Sequence, residues 1–115
     1  MQLVTSNARN LMERRRHPRI EVHLPAIYRS QKRTMDTYVS NVSQGGLAVL
    51  GPSVDDVGTH CQVVVTLPDE DPLELNGRII WSDADKPCMG FCFEGLTRDQ
   101  RVTLTNFLLA RLYNG

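Results

Sequence analysis

The sequence predicts a mainly β fold, a six-stranded antiparallel β-barrel with a C-terminal α-helix. Three observations carry this. At 115 residues the chain has room for one compact domain and one core. Six alternating or apolar stretches recur at roughly 8 to 12 residue spacing with turn residues between them, as in small antiparallel barrels. From Leu96 onward the apolar period changes from that of a strand to that of a helix.

Residues 1–13 have no sustained periodicity and are expected to form a flexible tail, with the folded domain spanning 14–115. Within it, 14–19 is an arginine-rich arm, 20–94 the barrel and 97–113 the helix. Ile20, Val22 and Leu24 alternate with Glu21 and His23, a half-buried strand that resumes at Ala26 and Tyr28 after Pro25, a proline suited to an edge or a bulge. SQKR (30–33) is a polar turn, and TMDTYVSNV (34–42) is the returning strand. SQGG breaks the chain before LAVL (47–50), a short buried strand ended by Gly51-Pro52.

After the loop SVDDVGTH, CQVVVTL (61–67) reads as a central strand, and PDEDP is an acidic turn between prolines. LELNGRIIWS (73–82) is a strand in which Gly77 marks a bulge and Trp81 is expected in the core. CMGFCFE (88–94) alternates with Met89, Phe91 and Phe93 on one face. The closing segment offers Thr97 as a helix cap with Gln100 three residues on, then Val102, Leu104, Phe107, Leu108 and Leu112 as the apolar face. That face is expected mostly to pack on the barrel, with part available for a homodimer contact, so the domain is a monomer or a weak homodimer.

Composition narrows the function. The net charge is zero, yet residues 1–33 hold eight basic side chains against two acidic, a net of +6, and the remainder is −6. One end is built to meet a compact anion, whereas a protein that coats nucleic acid or a membrane spreads its basic surface more widely. No apolar run approaches the roughly 20 residues that cross a bilayer, and MQLVTSNARN lacks the basic-then-apolar order of a signal peptide. Cys61, Cys88 and Cys92 are odd in number and form no C-x-x-C pair. A cytoplasmic location without membrane insertion is expected.

Catalysis has little to stand on. Asp55, Asp56, Asp69, Glu70 and Asp71 fall in loop-like segments and are expected to be solvated charges. His17, His23 and His60 have no metal-ligand spacing, and Cys88 and Cys92 would lie about 13 Å apart along a strand. Neither an enzyme, nor a metal site, nor a cofactor is expected.

Two clusters remain. Arg14, Arg15, Arg16 and Arg19 surround His17-Pro18 just before the first strand. Arginine's planar fork grips phosphate bidentately or lies against a purine, so the cluster suits a ligand with phosphates and bases, although a solvated basic flank would have the same composition. In NVSQGG (41–46), Asn41 and Ser43 project to one side of a strand end, and Gly45 and Gly46 allow a tight turn and close approach to a flat ligand. Any loop also uses such residues.

In this order and separation the clusters resemble the paired motifs R-x-x-x-R and [D/N]-x-S-x-x-G of the PilZ domain, a bacterial receptor module for cyclic di-GMP. Arg15 to Arg19 and Asn41 to Gly46 complete both, and GRIIW followed by MGFCFEGL is similar to the family's later strands. The resemblance implies that Arg15 and Arg19 clamp phosphates and stack on guanines, while Asn41, Ser43, Gly45 and Gly46 form the base-reading turn. Arginine at position 14, just before the motif, implies an intercalated pair of ligand molecules, with Arg16 as an additional contact and Arg9 a bystander.

Ordering the arm costs on the order of 1 to 2 kcal/mol per residue. Charge-assisted bonds at about 1.5 to 3 kcal/mol each can exceed that, so binding would reshape the surface. The output is then a conformational signal to an unidentified effector protein, in motility, biofilm or polysaccharide control. A PilZ-fold adaptor working by protein contacts alone is a second class. An RNA-binding barrel is a third, disfavoured because the strands lack an aromatic platform, so no DNA or RNA partner is expected.

Overall fold

Alternation of apolar and polar side chains dictates six strands with one buried face each, and the strands curl until the first meets the fourth. The computed structural model describes residues 19–114. The strands are β1 (Ile20–Ser30), β2 (Thr34–Val42), β3 (Gly46–Leu50), β4 (His60–Val65), β5 (Leu73–Asp83) and β6 (Cys88–Phe93), followed by the helix α1 (Arg98–Asn114). They form a closed barrel in the order β1-β2-β3-β6-β5-β4, every neighbour antiparallel. Closure leaves no edge to aggregate.

The core follows the predicted alternation. Leu24, Ala26 and Tyr28 of β1 are buried between exposed Glu21, His23, Pro25 and Arg29, and they meet Val39, Val49, Val63, Leu75, Ile79, Met89 and Phe91 from the other strands. Each fully buried aliphatic side chain contributes about 1.5 to 3 kcal/mol relative to exposure. Pro25 does not sit on an edge, because β1 is paired on both sides. It is tolerated because β4 pairing begins only at Ala26↔Val65, and Pro25 supplies just its carbonyl, which accepts from the Thr66 N–H at 3.2 Å.

Two expectations for β5 are corrected. The bulge lies between Ile79 and Trp81, not at Gly77. Gly77 is small because a Cβ there would collide with the Cys92 carbonyl and the Phe91 ring. The bulge sets Ile80 and Trp81 together opposite Gly90, so both face outward at 45% and 37% exposure. Trp81 therefore leaves the core, and its indole lies across Gly90, where any side chain would strike it.

Asp55 is also unlike its expected solvated state: it is 3% exposed. Its carboxylate accepts hydrogen bonds from Tyr28 Oη and Ser30 Oγ, both at 2.7 Å, and pairs with Arg33 Nε at 2.8 Å. Its own N–H points to Met89 Sδ at 3.2 Å. The segment between β3 and β4 is thereby pinned to the β1–β2 hairpin. Burial alone would push this carboxyl up, but the two hydroxyls and the Arg33 charge outweigh it and hold it below the usual carboxylate range. Burial, reinforced by Asp55, pushes the Tyr28 phenol upward. Asp56, Asp69, Glu70 and Asp71 are exposed, as predicted.

Helix α1 closes the barrel end at which β1 begins. Its cap is the reciprocal pair foreseen in the sequence: Gln100 N–H donates to Thr97 Oγ1 at 3.1 Å, and Thr97 N–H to Gln100 Oε1 at 3.0 Å. Leu104 and Leu108 are buried and Phe107 is half-buried. Val102 and Leu112 are exposed, contrary to expectation. Two residues before Leu104, Val102 points to nearly the opposite side of the helix. Side chains tether both halves: Gln100 Nε2 donates to the Glu74 carbonyl at 2.8 Å, and Arg111 Nη2 to the Glu21 carbonyl at 3.3 Å.

Asp55→Asn removes the charge that Arg33 and Tyr28 are arranged around, and is expected to cost about 3 kcal/mol of folding stability at neutral pH by urea denaturation. A depressed carboxyl stabilises the fold above its unfolded value and loses that contribution as pH falls through the folded value. The gap between wild type and variant should therefore narrow below about pH 4. A gap that stays constant with pH would count against a charged Asp55.

Candidate functional site

The β1–β2 pairing brings the start of the first strand to the turn that follows the second. Ile20 pairs with Val42 and Glu21 with Asn41, so exposed Arg19, one residue earlier, enters the barrel at the level of Ser43. Of the two clusters, the structure thus brings together Arg19 and the segment Asn41 to Gly46. Arg14, Arg15 and Arg16 lie outside the described residues, as does the tail.

The turn is internally bonded. Ser43 N–H donates to the Gly46 carbonyl at 2.8 Å, Ser43 Oγ donates to the same carbonyl at 3.3 Å, and Gly45 N–H donates to Ser43 Oγ at 3.3 Å. Phe93 N–H donates to the Gly45 carbonyl at 3.0 Å, which ties the turn to β6. Ser43 is therefore a holder of the turn's shape, with one hydroxyl lone pair still unused. Neither glycine takes a left-handed backbone. Gly46 is required by close approach, because a Cβ would collide with the Phe91 carbonyl. Nothing lies within 4 Å of a Cβ built on Gly45, so the space above it is open.

Half-buried Asn41 begins a row across the outer wall: Asn41 pairs with Ala48, Ala48 with Gly90, and Gly90 with Trp81. Ala48 and Gly90 are both buried, Gly90 beneath the indole, so Trp81 already covers this part of the wall. The next row runs Gly46, Cys92, Arg78, His60, where Glu94 receives Arg78 Nε at 3.0 Å and faces His60 Nδ1 at 3.3 Å. Sequence reasoning missed the outward Trp81 because period-two alternation gives no sign of the β5 bulge. The available signal was the pairing of a tryptophan strand with a strand carrying glycine.

On the far side of the turn a cleft of 110 Å³ opens between Gln44 and α1, lined by Leu96, Arg101, Leu104 and Thr105. Among the described residues neither Arg19 nor Arg101 forms an ion pair. Arg101 lines the cleft beside Gln44, while Arg19 precedes β1 at the level of Ser43. Arg101 was not singled out in the sequence, since only the folded helix brings it to Gln44.

No group of three or more His, Cys, Asp or Glu is placed to hold a metal among the described residues. Burial pushes the Cys61 thiol up to about 11, so it stays protonated near neutral pH, and it pushes Cys88 up as well. No helix among the described residues is long and apolar enough to cross a membrane.

The fold has solved counterparts. The inhibitor of motility MotI/DgrA from Bacillus subtilis superposes with a TM-score of 0.74 at 21% identity over 88% of this chain and 52% of its own. This chain therefore spans about half the length of that protein. The PilZ domain of YcgR from Escherichia coli, solved with c-di-GMP, gives 0.71 at 16% identity, covering 87% of this chain and 92% of that one. The PilZ domain of CeSA from a cellulose-synthesizing bacterium gives 0.63 at 21% identity, with 81% and 96% covered. No curated protein matches the sequence. The family model described as PilZ domain matches residues 13–110, a span that holds both clusters and every strand of the barrel. This chain, a six-stranded barrel capped by a helix with its arginine-led first strand set beside an N-x-S-x-x-G turn, belongs to the PilZ domain family.

Proposed function

We propose that the chain is a receptor for cyclic di-GMP that signals by a change in its surface to a partner protein. The observation that carries this reading is the register of β1 on β2, which delivers the end of R-x-x-x-R to the N-x-S-x-x-G turn. Arg15 and Arg19 clamp the phosphates and stack on guanine. Asn41 and Ser43 read a base edge, Gly45 leaves room for it, and Gly46 keeps the turn against β6. Solved PilZ proteins that carry c-di-GMP share this barrel, which supports the same ligand here. The output is binding without catalysis, delivered in the cytoplasm. The likeness to an inhibitor of motility supports a motility target.

Arg14 and Arg16 extend the clamp to an intercalated pair of ligand molecules, whose four phosphate charges ask for more than two arginines. Each lost charge-assisted contact is worth about 1.5 to 3 kcal/mol, roughly ten- to a hundredfold in affinity.

Isothermal titration with cyclic di-GMP tests this directly. Wild type should bind at micromolar or tighter affinity with two ligands per domain, Arg15→Ala should lose at least tenfold, and Ser43→Ala should weaken binding. A wild type that gives no heat would sink the receptor reading and turn attention to protein partners. A stoichiometry of one would remove the role given to Arg14. The two glycines should separate: Gly46→Ala should lower the melting temperature, and Gly45→Ala should leave it unchanged while reducing affinity.

A further inference from the structure

The cleft between the β2–β3 turn and α1 shares with the N-x-S-x-x-G motif only Gln44, one of its unspecified positions, and its lining is specific in character. Leu96 and Leu104 form an apolar floor, while Gln44, Arg101 and Thr105 supply the polar rim. At 110 Å³ it is well below the roughly 300 to 1,000 Å³ of a pocket for a whole ligand. What enters is one part of a larger molecule. Gln44 stands between Ser43 and Gly45, so the part that enters belongs to a molecule already on the turn.

Arg101 is held ready for it. The Thr97–Gln100 cap and the Gln100 bond to the Glu74 carbonyl fix the first turn of α1, and the Arg101 N–H itself donates to the Thr97 carbonyl at 3.0 Å. Arg33 pairs with Asp55, Arg78 with Glu94, and Arg111 donates to the Glu21 carbonyl, whereas among the described residues Arg101, like Arg19 and Arg98, is left for another partner. Arg101 has no carboxylate within ion-pair distance among the described residues.

We propose that this cleft is a guanine subsite and that Arg101 is its specificity-determining residue, an inference that rests on the receptor reading above. A phosphate has no use for a leucine floor, whereas a purine face does. The guanidinium fork matches the O6 and N7 acceptors of guanine, a pairing adenine cannot offer because it presents a donor at N6. The Gln44 amide and the Thr105 hydroxyl can each donate or accept along the remaining edge. The proposal gives α1 a direct contact with ligand.

The test is calorimetric titration of the full chain with cyclic di-GMP and, separately, cyclic di-AMP, for wild type, Arg101→Ala, Arg101→Lys and Gln44→Ala. Melting temperatures should be unchanged because Arg101 and Gln44 are exposed. Arg101→Ala should weaken cyclic di-GMP about tenfold and leave cyclic di-AMP nearly as it was, so that the preference between the two narrows. Gln44→Ala should act in the same direction, and Arg101→Lys should fail to restore the preference, since a point charge lacks the fork. Unchanged affinity and preference in Arg101→Ala, with a wild type that binds, would overturn the subsite alone. Full rescue by lysine would reduce Arg101 to a general charge and overturn its base-reading role. A wild type that binds neither nucleotide would overturn the receptor reading, and the subsite with it.

Discussion

The rest of the structure depends on β1 being paired on both sides at once. Its register with β2 runs from Ile20↔Val42 to Arg29↔Thr34, and its register with β4 from Ala26↔Val65 to Ser30↔Cys61. A slip of one residue would turn Leu24, Ala26 and Tyr28 out to solvent and bury charges in their place. Burial of those side chains thus sets where the preceding residues leave the barrel. Arg19 enters at the level of the β2–β3 turn because the hydrophobic core permits no other register.

The two ends of the barrel are finished by different physics. At the end away from the candidate site, a charged group is taken into the interior: Asp55 is satisfied by Tyr28, Ser30 and Arg33, so a loop without regular structure is held as firmly as a strand. At the site end, closure is apolar, with Leu104 and Leu108 of α1 lying over the core and, among the described residues, two side-chain bonds from helix to strand backbone. The polar end gives a unique geometry, and the apolar end leaves the helix less specifically held. A ligand site beside the less constrained end is where occupancy has most scope to change the surface.

Much of this was legible from sequence because the strands alternate cleanly and the helix carries its own cap. The number of strands, their order along the chain, the Thr97–Gln100 box and the composition of the β2–β3 turn all follow from local patterns. Features set by contacts distant in sequence were not legible. Asp55 reads as one more loop carboxylate until Tyr28, 27 residues earlier, turns out to face it. Trp81 reads as core because nothing in IIW marks the bulge that rotates it outward. Arg101 is one more surface arginine until the helix brings it to Gln44. That Gly46 is also demanded by the neighbouring strand, where a Cβ would meet the Phe91 carbonyl, was not legible in the turn's composition.

The bond from Arg111 to the Glu21 carbonyl spans 90 positions of sequence, and it ends two residues from Arg19. The last turns of the helix and the root of the arginine segment therefore share one anchorage. In mechanical terms the helix end and the strand start are two levers joined at one pivot, beside the apolar packing of Leu104 and Leu108. A rigid barrel is then compatible with movement at its surface, because this link runs along its rim.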